Sequence, residues 1–430
     1  MSTNIHAEQK PLIYQIGKHV KLVDDATFCK SIIADGKELI TGKESGEIRV
    51  PELNDEKVYI TFKKNVTDFS DTFSGCSALK SIPENLFANC PAVTSFQDTF
   101  LDCSALKSIP ENLFANCPKV TNFGGTFYRC ALLTSIPENL FANCPKATDF
   151  SFTFGGCANL TSIPENLFAN CPAVTNFRET FSNCPALQSI PTGLFANNPK
   201  VTIFQGTFSY CSALKSIPEN LFANCPKVTE FYFTFPACKA LQSIPTGLFA
   251  NNPKVTDFNG TFYGCSALTS IPEKLFTNNP AVTSFANTFD GCKALQSIPI
   301  GLFANNPKVT IFQGTFWGCT SLTSIPTGLF DNNRKVTNFR YTFQGCTSLK
   351  SIPEKLFANN TKVTNFSYTF KNCSALTGES PYTMIDGQKV HIYERKNYPE
   401  HFTTPTSTYH AFGNCTGLTD FAQIPTNWKE

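Results

Sequence analysis

The sequence predicts an α/β repeat solenoid of about eleven coils, each 27 residues long, with a different segment at each end. Two observations support this prediction. A cysteine returns every 27 residues from Cys76 to Cys373. Recurrent prolines interrupt each repeat, so no unit can form a long helix. A unit of this length cannot bury its own apolar side, and successive units must therefore stack to share a core.

The prolines determine the local structure of the repeat. With Cys as position 1, proline stands at position 8 in all eleven units and at position 16 in nine of them. The apolar residues recur every three or four positions, which alone would fit a helical face. Because proline lacks an N–H and restricts the residue before it, no helix longer than about two turns fits between these positions. We expect short extended segments, such as residues 78–82, joined by tight turns or by a single helical turn through Glu-Asn-Leu-Phe.

The constant apolar residues of the repeat form the predicted core. Leu at positions 4 and 11, Ile at position 7 and Phe at positions 12, 21 and 25 are the same in every unit. These Phe residues account for 33 of the 42 in the chain. Most of the aromatic content is therefore explained by packing between units.

The repeat pattern C-x-x-L-x-x-I-P-x-x-L-F-x-N-x-x-x-V-T-x-F-x-x-T-F-x-x resembles the BspA-type leucine-rich repeats of bacterial surface proteins. It is also similar to the Mycoplasma and Bacteroides variant V-T-N-M-x-x-M-F-x-x-C, which residues 363–373 match with Phe in place of Met. The resemblance covers residues 66–378 and resumes at residues 411–415. It implies a leucine-rich repeat solenoid of short parallel strands and a location on a bacterial surface. It implies binding without specifying the ligand.

The two ends of the chain depart from the repeat. Residues 1–65 carry turn signals between short β-prone runs, which predicts an N-terminal β-rich cap or attachment domain. Residues 66–378 form the predicted array. Residues 379–430 are expected to form a C-terminal cap, with a hairpin that turns at Asp386-Gly387 and a last partial repeat. Docking of either end to a larger assembly is the alternative to capping.

The cysteines are predicted to be buried thiols. Their number, nineteen, is odd, and the second cysteine of the repeat, at position 15, alternates with asparagine, as at Cys225 and Asn252. An exchange with Asn suits a small buried side chain that contacts the backbone of the next coil. One cysteine per coil along a line does not surround a metal ion, so we expect neither disulfides nor structural zinc.

Charge and hydropathy exclude several partners. The chain has 35 Lys and Arg against 33 Asp and Glu, which predicts no nucleic-acid partner. No run reaches the roughly eighteen apolar residues that insertion into a membrane requires. The first twenty residues lack the apolar core of a signal peptide. From the resemblance we expect an extracellular or cell-surface protein. The missing signal peptide favours a virion-associated protein as the alternative.

Enzymatic function has little support in the sequence. Every histidine lies outside the repeats, so the array offers no histidine base or nucleophile paired with one. The C-terminal histidines could form a metal site with Glu394 and Glu400, but structural roles are more common for such residues. We therefore predict no catalytic residues, no metal and no cofactor. The histidines are His6, His19, His391, His401 and His410.

Five positions of the repeat vary while their neighbours stay constant. These are positions 20, 22, 23, 26 and 27, which flank the Phe residues at positions 21 and 25. They carry all six Tyr of the repeats but only one Lys, whereas solvated drift would favour Lys and Glu. Tyr, Trp and Arg, together with Gly, Ser and Asn, are typical of recognition surfaces. The predicted ligand-binding residues are Tyr128, Arg129, Phe152, Arg178, Tyr210, Tyr232, Phe233, Tyr263, Trp317, Arg340, Tyr341 and Tyr368.

These features favour a non-enzymatic recognition or adhesion protein that binds a protein or a glycan. One alternative is a component of a phage tail or contractile injection system that recognises a bacterial surface. Another is a purely structural spacer, in which the aromatic positions would be covered or dispensable.

Overall fold

The computed structural model describes residues 10–40 and 45–430. The chain divides into two compact units, Met1–Val201 and Thr202–Glu430. In the following description each coil runs from position 1 to position 27 of the repeat. The N-terminal prediction covered residues 1–65, of which residues 1–9 and 41–44 lie outside the described residues.

The first unit begins with a β-rich segment that continues into the first repeat. The strands are β1 Leu12–Tyr14, β2 Gly17–Val23, β3 Cys29–Ala34, β4 Lys37–Glu38, β5 Ile48–Leu53, β6 Lys57–Phe62 and β7 Leu79–Ser81. A five-stranded sheet has the order β4-β3-β6-β1-β7, and β2 pairs with β5. The last strand of the sheet, β7, belongs to the first coil and pairs antiparallel with β1. The N-terminal segment is therefore hydrogen-bonded to the repeats.

Successive coils are joined by a ladder of backbone hydrogen bonds along positions 20 to 27. The N–H groups of positions 21, 23, 25 and 27 donate to carbonyls of the next coil, as from Phe100 to Thr126 at 2.9 Å. Turns within the coil close every second residue, as from Thr99 to Phe96 at 3.2 Å. Position 20 forms single parallel bridges in both units. Turns also occupy the Glu-Asn-Leu-Phe segment, where a helical turn was the alternative.

The extended segment before proline forms a regular strand only in the first coil, within the described residues. In later coils its bonds are long, as from Lys107 to Lys80 at 3.4 Å and from Thr161 to Thr134 at 3.3 Å. The ladder at positions 20 to 27 therefore provides most of the backbone pairing between coils.

The core consists of parallel rows of stacked phenylalanines, as the sequence predicts. At position 25 of the second unit, the Phe235 ring lies 5.5 Å from Phe208 and 5.8 Å from Phe262, with planes within 5° of parallel. The constant Thr and Cys satisfy carbonyls between coils. The Thr261 hydroxyl donates to the Phe231 carbonyl at 2.9 Å. This repetition explains why these letters do not change.

The predicted ladder at position 15 is confirmed. All nineteen cysteines lie in the described part of the chain and are buried free thiols. The Asn306 amide nitrogen donates to the carbonyls of Phe276 at 3.1 Å and Asn279 at 2.9 Å. The Cys117 thiol takes the corresponding place in the first unit, 3.9 Å from the Cys90 carbonyl. Burial raises the pKa of Cys117 to about 12, so this thiol stays protonated at neutral pH.

The C-terminal residues contain the predicted hairpin. Strands β8 Tyr382–Ile385 and β9 Gln388–His391 pair antiparallel around Asp386 and Gly387, which have φ of 48° and 82°. The hairpin is followed by a 3₁₀ helix, Ile392–Asn397, and by the short helix α1, Thr426–Lys429, near the end of the chain.

Arg395 of the 3₁₀ helix is buried, and its guanidinium donates to the carbonyls of Asn360 at 2.9 Å and Phe357 at 2.6 Å. A further coil would satisfy these two carbonyls with its own Asn, so Arg395 replaces it. Burial lowers the pKa of Arg395 to about 9, which still leaves the guanidinium charged at neutral pH.

Candidate ligand-binding surface

We define the variable strip as positions 20, 22, 23, 26 and 27 of the coils. The constant Phe residues at positions 21 and 25 point into the core with no exposure, and most residues of the variable strip beside them are exposed or half-buried. All twelve predicted ligand-binding residues lie at the surface. Tyr210, Tyr263 and Trp317 are the most exposed of the aromatic ones, at 55%, 40% and 38%.

The backbone of the variable strip is left-handed at two positions of every coil. Positions 23 and 27 have positive φ throughout, including Gly260 at 62° and Asn287 at 52°. Gly, Asn and Asp accept this conformation most readily. The abundance of Gly and Asn in the variable strip is therefore explained by the backbone, and only the aromatic residues and Arg still argue for recognition.

Five aromatic residues of the repeats occupy these left-handed positions against the conformational preference of their side chains. Tyr210 lies at position 27 with φ of 59°. The other four lie at position 23 and are Phe152, Phe233, Tyr341 and Tyr368, with φ of 57°, 47°, 62° and 62°. A bulky residue held in this region costs on the order of 1–3 kcal/mol. Other coils place Gly or Asn at these positions, so the backbone hydrogen bonds between coils do not need a ring there. Either local packing offsets the conformational cost of these rings, or the rings are retained for a function.

In the second unit, stacked aromatic rings run across four successive coils. The Trp317 ring lies 5.0 Å from the Tyr341 ring at an interplanar angle of 16°, and Tyr341 lies 4.8 Å from Tyr368 at 27°. The Tyr368 ring continues to Tyr409 at 5.5 Å and to His410 at 5.6 Å. We call these five residues the aromatic ladder.

Two cations lie against the aromatic ladder. The Arg340 guanidinium lies 4.5 Å from the centre of the Tyr341 ring, and its Nη2 donates to the Tyr341 hydroxyl at 2.6 Å. The Lys371 ammonium lies 5.1 Å from the centre of the Tyr368 ring. The Nε of Arg340 and the Oε1 of Gln344 are buried without a hydrogen-bond partner among the described residues. The aromatic ladder therefore presents ring edges and positive charge together.

A second aromatic cluster precedes the ladder in the same unit. The Phe233 ring lies 4.7 Å from Tyr232 and 6.1 Å from Tyr263. It also covers Gly260 of the next coil, where a Cβ atom would lie only 2.6 Å from the ring. Gly260 therefore permits the large residue in the preceding coil as well as its own positive φ.

The first unit carries a smaller group of the same kind. The Tyr128 and Phe152 rings meet edge to face at 5.8 Å. The Arg129 guanidinium lies 5.1 Å from the Tyr128 ring centre, and that of Arg178 lies 5.5 Å from the Phe152 ring centre. The structure thus gathers four of the predicted residues in the first unit into one cluster.

Sequence reasoning missed Tyr409 and His410, which extend the aromatic ladder. Both belong to the last partial repeat, and counting back from Cys415 gives them positions 22 and 23. The register of that cysteine was the signal that could have found them. Asp290 and Gln344 were missed because nothing in their identity marks their burial.

The histidines outside the repeats do not assemble a metal centre within the described residues, where no group of three or more His, Cys, Asp or Glu has a suitable arrangement. The His391 ring nitrogens each lie 3.1 Å from a carboxylate oxygen, one of Glu394 and one of Glu379. The His410 ring instead lies 3.0 Å from a backbone carbonyl of α1. His6 lies outside the described residues.

A shallow groove of about 580 Å³ in the first unit differs from the variable strip. It is lined by the repeated Ala, Asn and Pro residues of three successive coils, including Ala142, Asn143 and Pro145. Because this lining recurs from coil to coil, it follows from the repeat itself and distinguishes no ligand.

The stacked coils, with their inward Leu, Ile and Phe and their parallel ladder, define a leucine-rich repeat solenoid. Residues 80–283 match the model of the BspA type leucine rich repeat region in six copies. Residues 229–355 and 283–394 match the model described as Mycoplasma protein of unknown function, DUF285. The repeats in residues 80–283 are therefore BspA-type leucine-rich repeats, a type typical of surface-associated binding proteins and generally without enzymatic activity.

Solved structures of bacterial proteins are similar at low identity. A leucine-rich repeat protein from Bacteroides ovatus is 19% identical, with 82% of this chain and 88% of that chain covered and a TM-score of 0.33. A leucine rich cell surface protein from Faecalibacterium prausnitzii is 19% identical, with 84% and 88% covered and a TM-score of 0.29. No curated protein matches the sequence significantly. Among the described residues, no helix is both long enough and apolar enough to cross a membrane.

Proposed function

We propose that this protein is a non-enzymatic recognition or adhesion protein of a bacterial surface, and that its variable strip binds a protein or a glycan. The aromatic ladder carries this proposal. Its rings occupy surface positions, and two of them, Tyr341 and Tyr368, stand where the backbone favours Gly or Asn. A surface that keeps large aromatic rings at a conformational cost is better suited to binding than to solvation.

The arrangement of the rings supports recognition by edges and charge. Trp317, Tyr341 and Tyr368 stack with their faces toward one another, so their edges are left for a partner, whereas Tyr409 meets Tyr368 edge to face. Trp317 begins the stack, and only one of its faces is covered by a ring of the ladder. Arg340 adds a guanidinium that stacks on Tyr341 and donates to its hydroxyl. Aromatic residues and Arg at the centre of an interface contribute the largest share of binding energy in many complexes.

A purely structural spacer would not need these residues. Gly314 fills position 23 in the coil before Tyr341, and Asn287 fills it one coil earlier, with the same left-handed backbone. A spacer built from such residues would avoid the conformational cost. The spacer nevertheless remains a definite outcome of the experiment.

The proposal is tested by screening the intact protein against glycan arrays, immobilised extracellular proteins, and fixed bacterial and host cells. A variant with four aromatic residues of the second unit replaced by Ser is screened beside it. We expect the native protein to bind and the variant to lose binding while its melting temperature stays nearly the same. Equal binding by both proteins would refute the proposal that the variable strip binds the ligand. If neither protein binds, a structural spacer or an assembly component is favoured. The substitutions in this aromatic variant are Tyr232→Ser, Phe233→Ser, Tyr263→Ser and Trp317→Ser.

A further inference from the structure

The coil formed by residues 265–291 is recessed at the variable strip. Its residues at positions 20, 22 and 26 are Ser284, Ala286 and Asp290, and they are only 9%, 7% and 9% exposed. The neighbouring coils carry the half-buried Asn259 and Gln313 at position 22. Short side chains between longer ones thus leave a depression one coil wide.

Two exposed rings stand on either side of this depression. Tyr263 and Trp317 occupy position 26 of the preceding and following coils, and they are 40% and 38% exposed. Backbone hydrogen bonds fix this register, from Gly264 to the Asp290 carbonyl at 2.6 Å and from Gly291 to the Trp317 carbonyl at 2.7 Å. Two coil steps separate the rings by roughly 10 Å. That distance admits one side chain in contact with both rings.

The floor of the depression leaves room for a ligand because it lacks side chains at position 27. Gly264, Gly291 and Gly318 fill that position in three successive coils, each with positive φ. We call the depression bounded by Tyr263, Trp317 and this floor the recess.

Asp290 is the charged residue of the recess, and its carboxylate lacks a partner. It is nine-tenths buried, and within the described residues burial is the one influence on its pKa, with no hydrogen bond or opposite charge beside it. The titratable groups that interact electrostatically with Asp290 are the buried thiols of Cys292 and Cys319. These thiols remain neutral because burial raises their pKa values well above the usual range. Removal from water raises the pKa of Asp290 to about 7. A buried carboxylate without a counter-charge is costly, and a cation brought beside it would relieve that cost.

We propose that the recess binds the cationic side chain of a lysine or arginine from a protein partner, with Asp290 as the counter-charge and Tyr263 and Trp317 as the flanking rings. This inference rests on the proposed function and narrows its ligand from protein or glycan to a protein with a basic segment. A cation beside aromatic faces gains electrostatic attraction to the rings. A neutral sugar could hydrogen-bond to the carboxylate but would leave its charge uncompensated. A side chain also fits the width of one coil.

The recess can be tested without knowing the partner, because Trp317 provides a local signal. The chain has two Trp, and the other, Trp428, is buried. We would titrate the full chain with Nα-acetyl-lysinamide and Nα-acetyl-argininamide and follow the tryptophan emission. Nα-acetyl-norleucinamide, which is neutral, and glucosamine serve as comparison probes. We expect a saturable change with the lysine or arginine probe at pH 8 and none with norleucine.

The pH dependence follows from the ionisation of Asp290. Between pH 8 and pH 5.5 the ionised fraction falls about 30-fold, so the affinity for the cationic probes should fall by the same factor. The variant Asp290→Asn should abolish the saturable response at pH 8. The matched control Asp331→Asn, which neutralises a half-buried acid at position 13 of the same unit, outside the variable strip, should keep it.

Several results would overturn the inference. These are the absence of a saturable response in the native protein, an equal response to norleucinamide, a response to glucosamine alone, and an unchanged response in Asp290→Asn. The screen separates this failure from that of the proposed function. If Asp290→Asn binds cells or arrays like the native protein while the aromatic variant does not, the variable strip is supported and the cation recess is refuted.

Discussion

Asp290→Asn should stabilise the protein at neutral and alkaline pH, because it removes a carboxyl that folding buries without a partner. The pKa of this carboxyl rises from 3.8 to about 7. Each pH unit between these values corresponds to about 1.4 kcal/mol of unfolding free energy. The native protein therefore loses up to about 4 kcal/mol through Asp290 as the pH rises from 4 to 8. Well below pH 3.8 the carboxyl is protonated in both the folded and unfolded chains, and this loss is absent.

The assay is urea unfolding followed by circular dichroism at pH 4.5, 6 and 8, for the native protein, Asp290→Asn and Asp331→Asn. The stability of Asp290→Asn relative to the native protein should increase from pH 4.5 to pH 8, with most of the change below pH 7. The control Asp331→Asn reveals any general effect of removing one negative charge. If the native protein and Asp290→Asn show the same pH slope, the carboxyl is not desolvated and our reasoning about the recess fails.

Four further substitutions, at three sites, test the core, the ladder at position 15 and the left-handed backbone. Phe235→Ala empties a fully buried site between two stacked rings and should lower the unfolding free energy by about 3–5 kcal/mol, measured by urea unfolding. Asn306→Cys should cost at most about 1 kcal/mol in the same assay, since other coils use Cys there, whereas Asn306→Asp faces two carbonyls with a carboxylate and should cost several times more. Phe233→Asn relieves a φ of 47° and should leave the melting temperature, measured by calorimetry, equal or higher while weakening binding. A marked fall in that temperature would show that the Phe233 ring belongs to the core.

The repeat and its core could be predicted from the sequence because they depend on local rules. Two prolines exclude a long helix, and constant Phe at fixed positions can be buried only between stacked coils. The exchange of Cys with Asn at position 15 correctly indicated a side chain that contacts the backbone of the next coil. The Asp386-Gly387 hairpin was predicted for a similarly local reason, since Gly387 accepts the positive φ that this turn requires.

The details of the candidate site could not be predicted, because they depend on contacts between coils. The left-handed conformation at positions 23 and 27 arises from the hydrogen-bond ladder, which a single repeat does not reveal. Gly and Asn were instead counted as signs of recognition. Asp290 is buried because its neighbours in adjacent coils are longer. The role of Arg395 was not recognised because this residue lies outside the repeats, yet it takes the place of the Asn that a further coil would have at position 15.

The central claim, recognition through the variable strip, is tested most directly by the dissociation constant for the ligand that the screen identifies. This constant should be measured for the native protein, for the aromatic variant, and for a control variant with the same number of substitutions at exposed residues outside the variable strip. We predict that the aromatic variant loses binding by at least about 100-fold, or roughly 3 kcal/mol, while the control binds like the native protein. Equal affinities for all three proteins, or a loss confined to the control, would contradict the claim. The control substitutions are Lys215→Ser, Lys227→Ser, Lys254→Ser and Lys308→Ser, all at exposed residues.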